Sequence, residues 1–217
     1  MIKRKSAGIA VLAAGCVLLS LSLILYCANR TEDRLAGERA KHIAAMLEAE
    51  LPTVGKDEIN AEEKVPAERE SADDPPIRGE AEMATAFADG DSYVGIITIP
   101  SLGLDLPVMS EWSYDRLTTA PCRQFGSPGT GDLVIAAHNY RSHFGSLARI
   151  VPGDGVQFTD MSGTVFCYTA EEVRTVKPDE VGTIRDSGYD LVLYTCDYSG
   201  KSRVAVFCTR SGGVEER

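Results

Sequence analysis

Hydrophobic positions change their spacing along this chain, and each change marks a different kind of element. Ala7 to Ala28 is an unbroken stretch of 22 uncharged residues, AGIAVLAAGCVLLSLSLILYCA. About 20 apolar residues suffice for a helix to cross the hydrocarbon core of a bilayer. A cleavable signal peptide needs a shorter apolar region and a small-residue cleavage site, but Leu23, Ile24, Leu25 and Tyr26 occupy that place. An uncleaved transmembrane anchor is therefore expected. Between Thr31 and Leu51, Ala36, Ala40, Ile43, Leu47 and Leu51 recur at helical spacing with charges between them, and Pro52 closes the run. This segment is expected to be a stalk helix close to the membrane. Residues 52–90 then lose all periodicity and fill with Glu, Asp, Ala and Pro. Such a composition buries no core and predicts a flexible or extended spacer.

From Tyr93 onward the pattern shortens to β-type runs divided by turn residues. Tyr93–Ile99, Leu104–Val108, Leu133–Ala137, Val156–Phe158, Thr164–Thr169, Val173–Val176, Leu191–Thr195 and Arg203–Thr209 are the expected strands. Helical spacing is confined to short pieces around Tyr114–Thr119 and Phe144–Ile150. Many short strands with turn signals between them predict an all-β unit, a closed or nearly closed barrel. Three parts follow: a cytoplasmic tip and anchor over 1–29, an acidic stalk and spacer over 30–90, and a β-barrel over 91–217.

Charge sharpens this division. Residues 1–29 carry Lys3, Arg4 and Lys5 and no acid, which by the positive-inside rule places the N-terminus in the cytoplasm and the rest outside. Residues 30–90 hold 16 acids against 8 bases, and residues 91–217 hold 16 against 11. An acidic surface without clustered Lys or Arg excludes a nucleic-acid footprint.

Of six cysteines, Cys16 and Cys27 fall in the anchor as small apolar residues. Cys122, Cys167, Cys196 and Cys208 fall outside, where disulfides are chemically allowed, so a Cys167–Cys208 bridge stays open. No CxxC pair, HExxH or EF-hand spacing occurs, so neither a zinc site nor another metal or cofactor is expected, and calcium dependence is left undecided. Among three histidines, His42 lies in the stalk and His143 in a polar loop. His138 directly follows the apolar run LVIAA, a rigid strand end able to aim a side chain. Cys196 repeats the arrangement after LVLYT, and Arg203 opens the next strand seven residues later. If these strands neighbour one another, a thiol, an imidazole and a guanidinium converge on one rim.

These residues carry a resemblance to the sortases, the surface transpeptidases of mainly Gram-positive bacteria. Thr195-Cys196 after an apolar strand, Arg203 beyond it and His138-Asn139 after LVIAA are similar to the family's signature. Gly95–Pro100, Leu106-Pro107-Val108, Phe144–Leu147 and Gly153-Asp154 also resemble it, so the likeness spans roughly residues 91–210. The stretch HNYRSHFGSL is similar to class B-like members, while the short loop between Cys196 and Arg203 leaves the class open.

The resemblance implies an eight-stranded barrel, with short helices, that cleaves an LPxTG-like sorting signal through a thioacyl intermediate and transfers it to an amine. Cys196 would be the nucleophile, His138 its acid and base, and Arg203 the cation for the oxyanion or substrate carbonyls. Thr195 and Asn139 would support the substrate or the oxyanion. The implied partners are sorting-signal-bearing surface proteins and an amine acceptor, either a peptidoglycan cross-bridge or a pilin lysine. The lack of a second apolar segment after Arg210 leans toward cell-wall attachment. A hydrolytic cysteine peptidase and a non-catalytic tethered barrel are the competing readings. Leu51–Gly55, LPTVG, looks like a sorting signal but is better explained as a helix terminator.

Overall fold

The structure, a computed structural model, describes residues 2–51, 83–197, 200–212 and 215–216. Its first element is one helix, α1, over Ile2–Glu50. No break separates the apolar run from the amphipathic run, because Ala, Leu, Glu, Arg and Lys are strong helix formers throughout and the first proline is Pro52. Within Leu12–Glu50, α1 holds a stretch long and apolar enough to cross a membrane. Pro52–Gly55 of the LPTVG stretch, and nearly all of the expected spacer, lie outside the described residues.

The strands, in chain order, are β1 (Ala86–Ala88), β2 (Asp91–Ile99), β3 (Leu104–Met109), β4 (Cys122–Phe125) and β5 (Leu133–Ala137). After them come β6 (Gly155–Asp160), β7 (Thr164–Val176), β8 (Leu191–Cys196), β9 (Arg203–Arg210) and β10 (Glu215–Glu216). Neighbour pairing runs β2-β3-β4-β5-β8-β9-β7-β6 and returns from β6 to β2, a closed ring of eight strands. β1 and β10 hang from β2 and β7. Closure leaves the ring itself no unpaired edge. It requires a close crossing where β2 meets β6, and there a Cβ on Gly95 would come 2.3 Å from the Thr159 carbonyl.

The expected strand set differs from the observed one in four places, one of them the two-residue β10 beyond the last expected strand. β4 is only four residues long and carries Arg and Gln, so it has no apolar signature. β1 falls inside the stretch read as spacer. The two runs at Thr164–Thr169 and Val173–Val176 are one strand, β7, whose acidic middle masks its continuity and contains a register shift between Ala170 and Glu172. The two helical pieces are 3-10 turns, at Arg116–Thr118 and Phe144–Arg149, and a short α2 spans Val181–Arg185.

Runs such as LVIAA and LVLYT are apolar at every position because both faces of their strands are buried. Leu133, Ile135, Ala137, Leu191, Leu193 and Val206 point into the barrel. Val134, Ala136, Val192, Tyr194, Ala205 and Phe207 point outward and are covered by Ile184 of α2, with Trp112 and Leu117 packed against them. Next to this cluster, and sharing Trp112 and Leu117 with it, Ile43 and Leu47 of α1 pack on Tyr93, Ile96, Met109 and Cys122 of β2, β3 and β4. The apolar stripe anticipated for a stalk is thus a docking face on the barrel.

Ile43 and Leu47 are fully buried, and each stabilises the docked helix by about 2 kcal/mol. Leu47→Ala should lower unfolding stability by roughly 2–4 kcal/mol in urea titrations of the detergent-solubilised chain. Leu35→Ala, at a position 58% exposed on the same helix, should change it by less than about 0.5 kcal/mol.

Candidate active site

Register brings the expected residues together. β5 and β8 run parallel with Ala137 opposite Thr195, so His138 and Cys196 are the next positions along two neighbouring strands. β8 and β9 run antiparallel with Cys196 directly opposite Arg203. Strand neighbours lie about 4.8 Å apart, and residues directly opposite share a face. Alternation along β8 sends Leu191, Leu193 and Thr195 inward and Val192, Tyr194 and Cys196 outward. The thiol, imidazole and guanidinium therefore belong to the outer face of the barrel at one end of three adjacent strands. All three residues are half-buried.

Local bonds fix this rim. The Thr195 hydroxyl donates to the Ala137 carbonyl at 2.9 Å, buried inside the barrel. That places Thr195 on the face opposite Cys196, where its hydroxyl ties β8 to β5 and, contrary to expectation, does not reach a substrate or oxyanion at the rim. The Asn139 amide donates to the Asp197 carbonyl at 3.4 Å and ties the strand ends once more. The Asp197 carboxylate turns back on its own connection, accepting from the Lys201 amide at 3.1 Å and the Ser202 hydroxyl at 2.6 Å. Nη1 of Arg203 donates to the carbonyls of Ser202 at 3.1 Å and Gly200 at 3.4 Å, so loop carbonyls hold the cation at the rim.

The other cysteines are placed differently. All six are free thiols, so Cys167 and Cys208 form no bridge. Cys122 and Cys208 are fully buried, and desolvation pushes both thiols up to about 12, which removes thiolate chemistry at neutral pH. Cys167 faces Gln157 across β6 and β7, away from the rim.

His138 is held below its ordinary pKa by burial, with Glu32 of α1 opposing that shift. A neutral imidazole is the form that can accept a proton. Its ring stacks on Tyr140, with centroids 4.0 Å apart and planes at 24°. Tyr140 gave no sequence signal beyond its place in HNYRSH. Glu32, Asp33 and Tyr26 of α1 line one cleft with His138 and Asn139, an arrangement that strand patterns do not encode. The 138–145 loop is compact: the amides of His143 and Gly145 both donate to the Tyr140 carbonyl, at 3.0 and 2.8 Å. A Cβ on Gly145 would lie 2.4 Å from the Asn139 carbonyl, so only glycine fits this approach.

A family model described as the sortase domain matches residues 97–211, more than half of the chain. The chain belongs to the sortase family. It is 30% identical over 122 residues to sortase A of Bacillus anthracis, covering 54% of this chain and 58% of that relative. The chain thus spans less than two thirds of that curated relative's length. Among solved structures, sortase C of Streptococcus pneumoniae superposes with a TM-score of 0.51 at 22% identity, covering 57% of this chain and 70% of that one. Sortase A from Corynebacterium diphtheriae gives 0.51 at 20% identity, covering 57% and 62%. These two likenesses speak for the barrel fold and no further.

His143, beside the rim of this sortase, is fully buried, and neither ring nitrogen has a hydrogen-bond partner among the described residues. Desolvation, and secondarily the neighbouring His138, lowers its pKa from 6.5 to about 4, against the opposite pull of Asp33 and the Ala36 backbone. Folding lowers this pKa, so the unfolded chain binds the proton more readily. The neutral ring costs nothing above pH 6.5, and stability is lost as pH falls from there toward about 4, where the folded protein takes up the proton itself. Unfolding free energies measured by urea titration should fall by up to about 3 kcal/mol over this window. His143→Leu should remove most of that slope.

Proposed function

We propose that this sortase is a membrane-anchored cysteine transpeptidase acting outside the cell on proteins that carry an LPxTG-like sorting signal. The observation that carries the reading is the shared rim of β5, β8 and β9, where Cys196, His138 and Arg203 stand on one face. Cys196 Sγ, as thiolate, attacks the carbonyl carbon of the scissile peptide bond and forms a C–S bond. A thiol is mostly protonated at neutral pH, so a neighbouring imidazole must help supply the thiolate. As the C–N bond breaks, His138 gives a proton to the leaving amine. An acceptor amine then attacks the thioester, His138 takes its proton, and the thiolate departs.

Arg203, permanently charged and held by two loop carbonyls, faces the oxyanion of each tetrahedral intermediate. A fixed donor at that position contributes about 3 kcal/mol. Thr195 and Asn139 act indirectly, by locking β8 and its loop to β5. No cofactor enters this scheme. Lys3, Arg4 and Lys5 support a cytoplasmic N-terminus, and the apolar part of α1 supports a single membrane crossing. The acceptor is a primary amine of the cell wall cross-bridge, with a pilin lysine as the alternative.

The test is incubation of the full chain with LPxTG-type peptides, with and without amines that mimic a cross-bridge peptide or a pilin lysine. Mass spectrometry should detect a thioester adduct on Cys196 that Cys196→Ala abolishes, and Arg203→Ala should lower kcat about 100-fold. Products formed with water alone in the presence of both amines would sink transpeptidation. An adduct that survives Cys196→Ala would sink the assigned nucleophile.

A further inference from the structure

Nothing in the strand pattern explains what orients the His138 ring. Its Nδ1 is buried and has no hydrogen-bond partner among the described residues, so no carboxylate aligns the imidazole there. What touches the ring is Tyr140, stacked at 4.0 Å. Tyr140 in turn sits in the compact loop whose next residues bond back to its carbonyl. The orientation of the imidazole therefore depends on where this loop is held.

The loop is held by α1. The Asp33 carboxylate accepts a hydrogen bond from the Ser142 amide at 2.9 Å. The Ser142 hydroxyl lies 2.7 Å from the same Oδ1 and 2.8 Å from the Asp33 carbonyl, either of which takes its single proton. One turn on, a Cβ at Gly37 would lie 2.7 Å from Ser142 Cβ, so the helix reaches the loop only because residue 37 has no side chain. His143 fills the space behind this contact and is fully buried.

We propose that Asp33 is a positioning residue for His138, acting through Ser142 and the stacked Tyr140 ring. The helix that leaves the membrane-suited segment is then part of the catalytic apparatus and not solely a tether. The inference rests on the transpeptidase reading for its kinetic consequence, while the holding of His138 can be read without any turnover.

The experiment uses the full chain in detergent micelles and three variants: Asp33→Ala, Asp33→Asn and Cys196→Ala. Asp33→Ala should lower kcat for peptide transfer by about tenfold or more, with KM within about twofold, because the bound geometry and not binding is disturbed. Asp33→Asn should recover most of the loss, since an amide oxygen still accepts from the Ser142 amide and can take the hydroxyl proton as the carboxylate can. Without turnover, carbethoxylation by diethyl pyrocarbonate, mapped by mass spectrometry, reports access to each imidazole. Asp33→Ala should speed modification of His138 severalfold relative to His42, an exposed reference on α1, and Asp33→Asn should not.

Equal His138 modification in wild type and Asp33→Ala overturns the positioning role. So does an Asp33→Asn variant as impaired as Asp33→Ala. If transfer survives Cys196→Ala, the assignment of Cys196 as nucleophile fails separately, and the carbethoxylation rates still decide whether Asp33 holds His138.

Discussion

The parallel pairing of β5 with β8, continued by the antiparallel pairing of β8 with β9, is the constraint on which the rest of the site depends. A sheet alternates its side chains with period two, so one residue of slippage would send Cys196 into the barrel and Thr195 out. The register puts Ala137 beside Thr195, and the next step along each strand puts His138 beside Cys196. The same register across β9 sets Arg203 against Cys196. Backbone pairing thus brings three residues separated by up to 65 positions in sequence to neighbouring places on adjacent strands.

What protects that register is burial on both faces. Leu133, Ile135, Leu191 and Leu193 are fixed in the interior, and Val134, Ala136, Val192 and Tyr194 are fixed under α2 and its neighbours. Slippage of either strand would exchange two differently shaped sets of apolar side chains at once, a cost of several kcal/mol at about 1.5–3 kcal/mol for each large side chain displaced. The rim residues escape this packing because they lie just past the last buried layer. They are held by polar bonds instead: Thr195 to Ala137, Asn139 to Asp197, and Arg203 to the loop carbonyls. An apolar strand sets position to within a residue, and the polar ties at its end set direction.

Much of this was legible in the sequence, for a physical reason. LVIAA-His and LVLYT-Cys are two-sided buried strands that end on a reactive side chain, and continuous apolar runs of that length are hard to place elsewhere. β4 was not legible, because a four-residue strand with Arg123 and Gln124 partly exposed has no periodic signal. The continuity of β7 was hidden by Glu171 and Glu172 at its bulge. The apolar stripe on α1 was visible, but its partner was not: a stripe of Ala40, Ile43 and Leu47 states that something is covered, not what. Tyr140 and Asp33 carried no signal because stacking and loop-to-helix bonds have no fixed sequence spacing.

The four cysteines of the barrel show how position selects chemistry from one residue type. Cys122 and Cys208 lie in apolar clusters where a charged sulfur has no solvation, and their thiols are pushed to about 12. Cys196 stays half-buried because the strand that carries it outlasts its cover by one residue, and the neighbouring strand ends in His138 at the same level. Outward placement, a half-buried setting and an imidazole and guanidinium on adjacent strands single out Cys196, and each of these follows from where β5, β8 and β9 stop.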